Sequence, residues 1–70
     1  MREEDWKTLI TLYECRNLTR AAKEMYLSQP TLTKQLHRIE SELGLTVVKR
    51  SNKGVTFTPE GEYLVHQARK

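Results

Sequence analysis

Little in this sequence offers sulfur, metal or membrane chemistry. A single cysteine, Cys15, excludes an intramolecular disulfide and fits a reducing compartment. By itself it reads as a small, buried or half-buried apolar residue. No stretch approaches the roughly 20 apolar residues of a membrane span, and no apolar core of a secretory signal is present. The cytoplasm is the natural place, with no membrane partner. The two histidines, His37 and His66, stand too far from Cys15 and from each other in the sequence to suggest a zinc site. Ser28 has no histidine or acid placed by the sequence to activate it, so it reads as a helix cap rather than a nucleophile. The expectation is a chain that is not an enzyme and holds no metal or cofactor.

Seventy residues, 37% of them apolar and 30% charged, make one small folded domain. A chain of this size buries only about 60% of its unfolded surface, so such a piece often leans on a partner or a second copy. The net charge is +3, and its distribution says more than its size. Residues 17–40 carry four basic and two acidic side chains, and residues 41–56 carry three and one. Residues 1–16 are net acidic and residues 57–70 neutral. A centred basic patch attracts polyanions.

The strongest local signal runs from Ser28 to Gly44. Ser28 can cap a helix, Pro30 suits the first turn, and Gly44 suits a left-handed end. At about 100° per residue Leu32, Leu36, Ile39 and Leu43 share one stripe. Pro30, Thr33, Lys34, His37, Arg38 and Ser41 fall on the other side, with no acid near the start of the helix. Upstream, residues 1–15 predict a first helix with Trp6, Leu9, Ile10 and Tyr13 on its core face. Glu3, Glu4 and Asp5 would sit at the positive end of its dipole. Asn17 and Leu18 break it, and Thr19 is the expected cap of a second helix from Arg20 to about Tyr26, with Ala21 and Ala22 allowing close approach. The leucine stripe is expected to pack on Trp6, Leu9, Ala22 and Met25. Downstream, Leu45–Arg50 and Val55–Phe57 alternate as strands around a Ser51–Gly54 turn, and the hairpin must rest on the helices. Thr58 and Pro59 open a fourth helix over 59–70, bearing Tyr63, Leu64 and Ala68 on one side. The chain stops there in mid-pattern, as a fragment of a longer protein would.

A short helix, a tight two-residue connection and a capped second helix make a helix-turn-helix, whose second helix enters the major groove. The turn is without its frequent glycine. With the hairpin added, the fold class is mostly α with a small β-hairpin, a winged helix-turn-helix over residues 1–58. Residues 59–70 begin a linker or dimerisation helix.

The residues Leu18-Thr19-Arg20-Ala21-Ala22, Leu27 to Leu36, Ile39 to Gly44, Lys49-Arg50 and Thr58-Pro59-Glu60-Gly61 resemble the N-terminal domain of LysR-type transcriptional regulators. The likeness runs over nearly the whole chain without a gap. It implies a bacterial transcription factor that binds double-stranded DNA at interrupted palindromes. It also implies a homodimer formed through the linker helix, a tetramer in the full-length protein, and a small-molecule effector bound by a C-terminal domain that this chain does not contain. By that likeness Gln29, Pro30, Thr33 and Lys34 face the major groove and Lys53 sits at the wing tip. The candidate DNA-binding set is Thr19, Ser28, Gln29, Pro30, Thr31, Thr33, Lys34, His37, Arg38, Arg50 and Lys53. Thr33 stands where the family usually has serine and keeps the hydroxyl. Lys34 replaces a common arginine, trading a guanine-gripping fork for a point charge. Val48 replaces a frequent phenylalanine, and Lys49 a frequent acid. Two other readings stand beside this one: a winged helix that binds protein, and the similar N-terminal domain of molybdate-sensing repressors. The basic side chains Lys34, Arg38, Arg50 and Lys53 favour DNA over protein.

Overall fold

In the computed structural model, which describes residues 1–69, helix α1 (Glu3–Cys15) ends where Arg16 turns left-handed at φ 56°. Helix α2 (Leu18–Glu24) follows at once, and its cap differs from expectation. Asn17, not Thr19, closes the N-terminus, its Oδ1 accepting the Arg20 N–H at 3.0 Å. Asparagine caps at least as well as threonine. Starting earlier also brings Leu18 into register with Ala21 and Ala22, and all three are buried.

The turn to the next helix passes through Tyr26, which takes the missing glycine's place at φ 58° and is 96% exposed. A left-handed backbone costs an L-residue roughly 1–2 kcal/mol, while glycine loses about 0.5–1 kcal/mol of unfolded-state entropy. Tyr26→Gly is therefore expected to raise stability by about 0.5–1 kcal/mol. A urea midpoint at or below that of the parent chain would contradict this.

Helix α3 (Gln29–Leu43) has the expected punctuation. The Ser28 hydroxyl accepts the Thr31 N–H at 3.2 Å, and Gly44 closes the far end at φ 70°. Strands β1 (Val48–Ser51) and β2 (Gly54–Phe57) pair antiparallel, Val48 opposite Phe57 and Ser51 opposite Gly54. The first strand is shorter than its apolar run because Leu45–Val47 serves other partners. Glu40 Oε2 accepts the Val47 and Val48 N–H groups at 2.8 and 3.2 Å, and the Val47 carbonyl accepts the Thr58 N–H at 3.0 Å. Helix α4 (Pro59–Ala68) starts under Thr58, whose hydroxyl accepts the Gly61 N–H at 3.0 Å. Residue 70, the last of the expected helix, lies outside the described residues.

The core gathers Leu9 and Leu12 of α1, Ala21 and Ala22, Leu32, Leu36 and Ile39 of α3, with Val47, Val55 and Val65. Leu43, Trp6 and Met25 pack on it half-buried. In α1 the most buried face is not the expected one. Asp5, Thr8, Leu9 and Leu12 are fully buried, whereas Trp6, Ile10 and Tyr13 are half-buried. That face is turned roughly 100° from the apolar stripe, and its polar Asp5 and Thr8 hid it from a reading of hydrophobic periodicity. Tyr13 covers the wing base instead, edge-on to Phe57 at 5.0 Å between ring centres. The Val55 N–H donates to the Arg16 carbonyl at 3.0 Å, so the hairpin does rest on the helices.

Candidate nucleic-acid interface

The cap and proline that start α3 leave its first two turns projecting from the fold. Ser28, Gln29, Pro30, Thr31, Lys34 and His37 are all exposed, and Thr33 is half-buried toward the wing. The first turn carries no acid. The positive end of the helix dipole therefore meets solvent with no acidic side chain opposing it. Ser28 and Thr31 also bond to each other, hydroxyl to hydroxyl at 2.8 Å, which stiffens the entry to the helix.

Between this end of α3 and the hairpin lies a cleft of about 420 Å³, lined by Asn17, Thr19 and Gln29 on one wall and Arg50 to Gly54 on the other. Thr19 Oγ1 donates to Gln29 Oε1 at 3.4 Å, a long bond that holds the amide beside α2. Arg50 Nη2 donates to Thr33 Oγ1 at 2.9 Å, joining the wing to the helix. Lys53 is exposed on the wing's tight turn, where its N–H donates to Ser51 Oγ at 3.3 Å. Among the described residues no ion pair engages Lys34, Lys49, Arg50 or Lys53. Thr19, Gln29, Arg50 and Lys53 thus surround one opening, Thr33 adjoins it through its bond to Arg50, and Pro30, Lys34 and His37 are exposed on the same helix.

Arg38 is differently placed from the rest of the set. Its guanidinium is turned back toward α1. Nη2 meets Asp5 Oδ1 at 2.6 Å, and Nη1 meets Asp5 Oδ2 at 3.3 Å and Glu42 Oε2 at 3.1 Å. Asp5 is 0% exposed and also accepts Gln35 Nε2 at 3.1 Å and the Arg2 N–H at 2.9 Å. Burial alone would push this carboxyl up. The hydrogen bonds from Arg38, the Arg2 backbone and Gln35 outweigh it and hold the group down at about 2. Sequence reasoning placed Asp5 merely at the helix end. The available signal was its i, i+4, i+7 spacing with Leu9 and Leu12, which puts a carboxylate on a buried face that must find a cation. Glu40, which ties α3 to the base of the wing, was missed for the same reason.

Cys15 Sγ donates to Glu24 Oε2 at 2.6 Å, and this carboxylate, with burial, pushes the thiol pKa up. The thiol is a link between α1 and α2, in line with its reading as a half-buried residue.

The model of bacterial regulatory helix-turn-helix proteins of the lysR family matches residues 4–62. The chain belongs to the LysR family. Relatives include the uncharacterised HTH-type transcriptional regulator YraN of Bacillus subtilis, 41% identical over all of this chain and 24% of that protein. The DNA-binding transcriptional dual regulator OxyR of Escherichia coli is 42% identical over 99% of this chain and 23% of its own length. The chain thus spans about a quarter of the length of these curated relatives. Among solved structures, the CbnR DNA-binding domain in complex with DNA superposes with a TM-score of 0.92 at 33% identity, covering 99% of this chain and 79% of that one. The BenM domain bound to catB site 1 DNA also reaches 0.92, at 29% identity, covering 99% and 78%. The helix-turn-helix with its two-stranded wing is therefore the LysR arrangement, and the LysR reading stands over the protein-binding and molybdate-repressor alternatives.

Proposed function

We propose that this chain binds double-stranded DNA sequence-specifically as the N-terminal part of a bacterial LysR-type transcriptional regulator. The observation that carries the reading is the cleft between two cationic elements: an acid-free helix start and a wing carrying Arg50 and Lys53, neither of which is spent on an ion pair among the described residues. The DNA complexes of CbnR and BenM domains of the same shape support it. In this mechanism α3 enters the major groove, and Gln29 and Thr33 read base edges. Lys34 adds charge at the groove, Arg50 and Lys53 hold phosphates, and the start of α3 points its dipole at the backbone.

One recognition helix covers too few base pairs to be selective, so two copies bind an interrupted palindrome, paired through α4. Tyr63 on α4 is 64% exposed and, with Leu45, Pro59 and Leu64, lines a shallow apolar hollow. Such a surface suits a helix-to-helix contact between copies. Tetramers and effector control belong to the full-length cytoplasmic regulator.

Competition binding with defined duplexes tests the reading. Lys53→Ala is expected to weaken all duplexes alike and to lower the salt slope by roughly one unit. Gln29→Ala is expected to relax preference at one base position at a cost of roughly 1–3 kcal/mol on the preferred site. An unchanged slope removes Lys53 from the phosphate contacts, and an unchanged preference at every position removes Gln29 from the readers.

A further inference from the structure

We infer that Arg38 acts from behind the interface: paired with Asp5, it sets the roll of α3 about its own axis, and so which base edges Gln29 and Thr33 meet, without touching DNA itself. This rests on the DNA-binding reading above and assigns to Arg38 a positioning role in place of a contact.

Helix α3 is backed by leucine and isoleucine side chains, and apolar packing is non-directional. A small rotation over such a bed costs little, yet at a side-chain radius of about 5–6 Å a 10° roll carries a tip by about 1 Å. That displacement is enough to spoil a base-edge hydrogen bond. Directional bonds must hold the angle, and the structure supplies them on both flanks. On one flank Gln35 and Arg38 converge on the buried Asp5 carboxylate, three bonds at 3.1, 2.6 and 3.3 Å. On the other, Thr33 meets Arg50, and Glu40 receives two backbone N–H groups ahead of and within the first strand. The two sets lie roughly a quarter turn to either side of the leucine stripe. Pro30 and Lys34 are left outermost between them.

Charge keeps Arg38 from doubling as a phosphate contact. Its single cation faces two carboxylates, Asp5 and Glu42. Even counting the Met1 ammonium 3.9 Å from Glu42, the cluster is neutral. It offers a phosphate none of the attraction that Lys34, Arg50 and Lys53 do.

The test uses the chain itself, with a preferred duplex selected from a random pool and a scrambled duplex of equal length, titrated at several salt concentrations. Arg38→Gln and Asp5→Asn are each expected to lower the preference for the selected duplex about tenfold, the worth of one good base contact. Affinity for the scrambled duplex and the salt slope should stay as in the parent chain. The double variant is expected to be no worse than either single one, because the pair acts as a unit. Arg38→Lys, which keeps one charged bond and disturbs the fold least, is expected to recover part of the preference. A salt slope lowered by about one unit in Arg38→Gln, with both duplexes weakened alike, would make Arg38 a phosphate contact and overturn the inference. An unchanged preference in folded Arg38→Gln and Arg38→Lys would reduce the pair to fold stability. A parent chain that binds neither duplex would instead remove the DNA-binding reading, and this inference with it.

Discussion

Gly61→Ala is expected to cost about 3 kcal/mol or more, a large share of the roughly 4–10 kcal/mol available to a chain of this length. Gly61 is buried in the first turn of α4. A Cβ there would drive into the Val47 carbonyl oxygen, closer than real Cβ atoms approach, and within 3.0 Å of Val47 Cγ1. What it meets is backbone, so no side chain can swing away. That carbonyl accepts the Thr58 N–H at 3.0 Å, and the Thr58 hydroxyl, which caps α4, shares its proton between the Thr46 carbonyl at 2.7 Å and the Val47 carbonyl at 3.1 Å. Relieving the clash therefore means breaking the joint between the wing and α4. Overpacking costs about 1–3 kcal/mol, and unsatisfied buried groups add about 1–3 kcal/mol. The melting temperature, followed by circular dichroism, should fall by more than about 12 °C. A melt within a few degrees of the parent chain would show that α4 can move off Val47 freely.

Asp5→Ala is expected to cost about 3 kcal/mol at neutral pH, and most of that loss should disappear in acid. Removing one member of a buried pair leaves Arg38, Gln35 and the Arg2 N–H without their acceptor. The sign of the pH dependence follows from a carboxyl held at about 2 in the fold against an ordinary value of 3.8. Its contribution is fully present above the ordinary value and is lost as pH falls through the folded one. About 2 kcal/mol of the difference between parent and variant should therefore vanish between about pH 4 and pH 2. Urea unfolding at pH 7, 4 and 2.5 measures it. Parallel stability curves for the two chains would mean that Asp5 does not hold its proton off in the fold. This readout is stability alone, and it stands apart from the duplex preference that tests the roll of α3.

Much of the candidate interface was legible before the fold was known. Ser28, Pro30 and Gly44 mark α3 because end signals act within one turn of chain, and the structure places Ser28 and Gly44 as its caps and Pro30 in its first turn. Of the eleven candidate residues, Arg38 is the one whose charged group turns away from the others. Its position on the wheel is polar, but the wheel carries no information about α1. Asp5 sits 33 residues upstream, and its own polarity disguised the face that buries it. The cap of α2 moved to Asn17 because tertiary burial of Leu18 chose between two competent cap residues.

The chain's own sequence determined the element order, the leucine stripe, the basic middle and the family, because these depend on neighbours within a few residues. Only the tertiary structure decided which outward polar groups stay available to a partner and which are spent inside the fold. Arg38 is spent on Asp5 and Glu40 on the backbone at the base of the wing, whereas Arg50, though bonded to Thr33, stays exposed beside the cleft. Hydrogen bonds and ion pairs need separations near 3 Å, and the chain fixes those only when its helices are already packed.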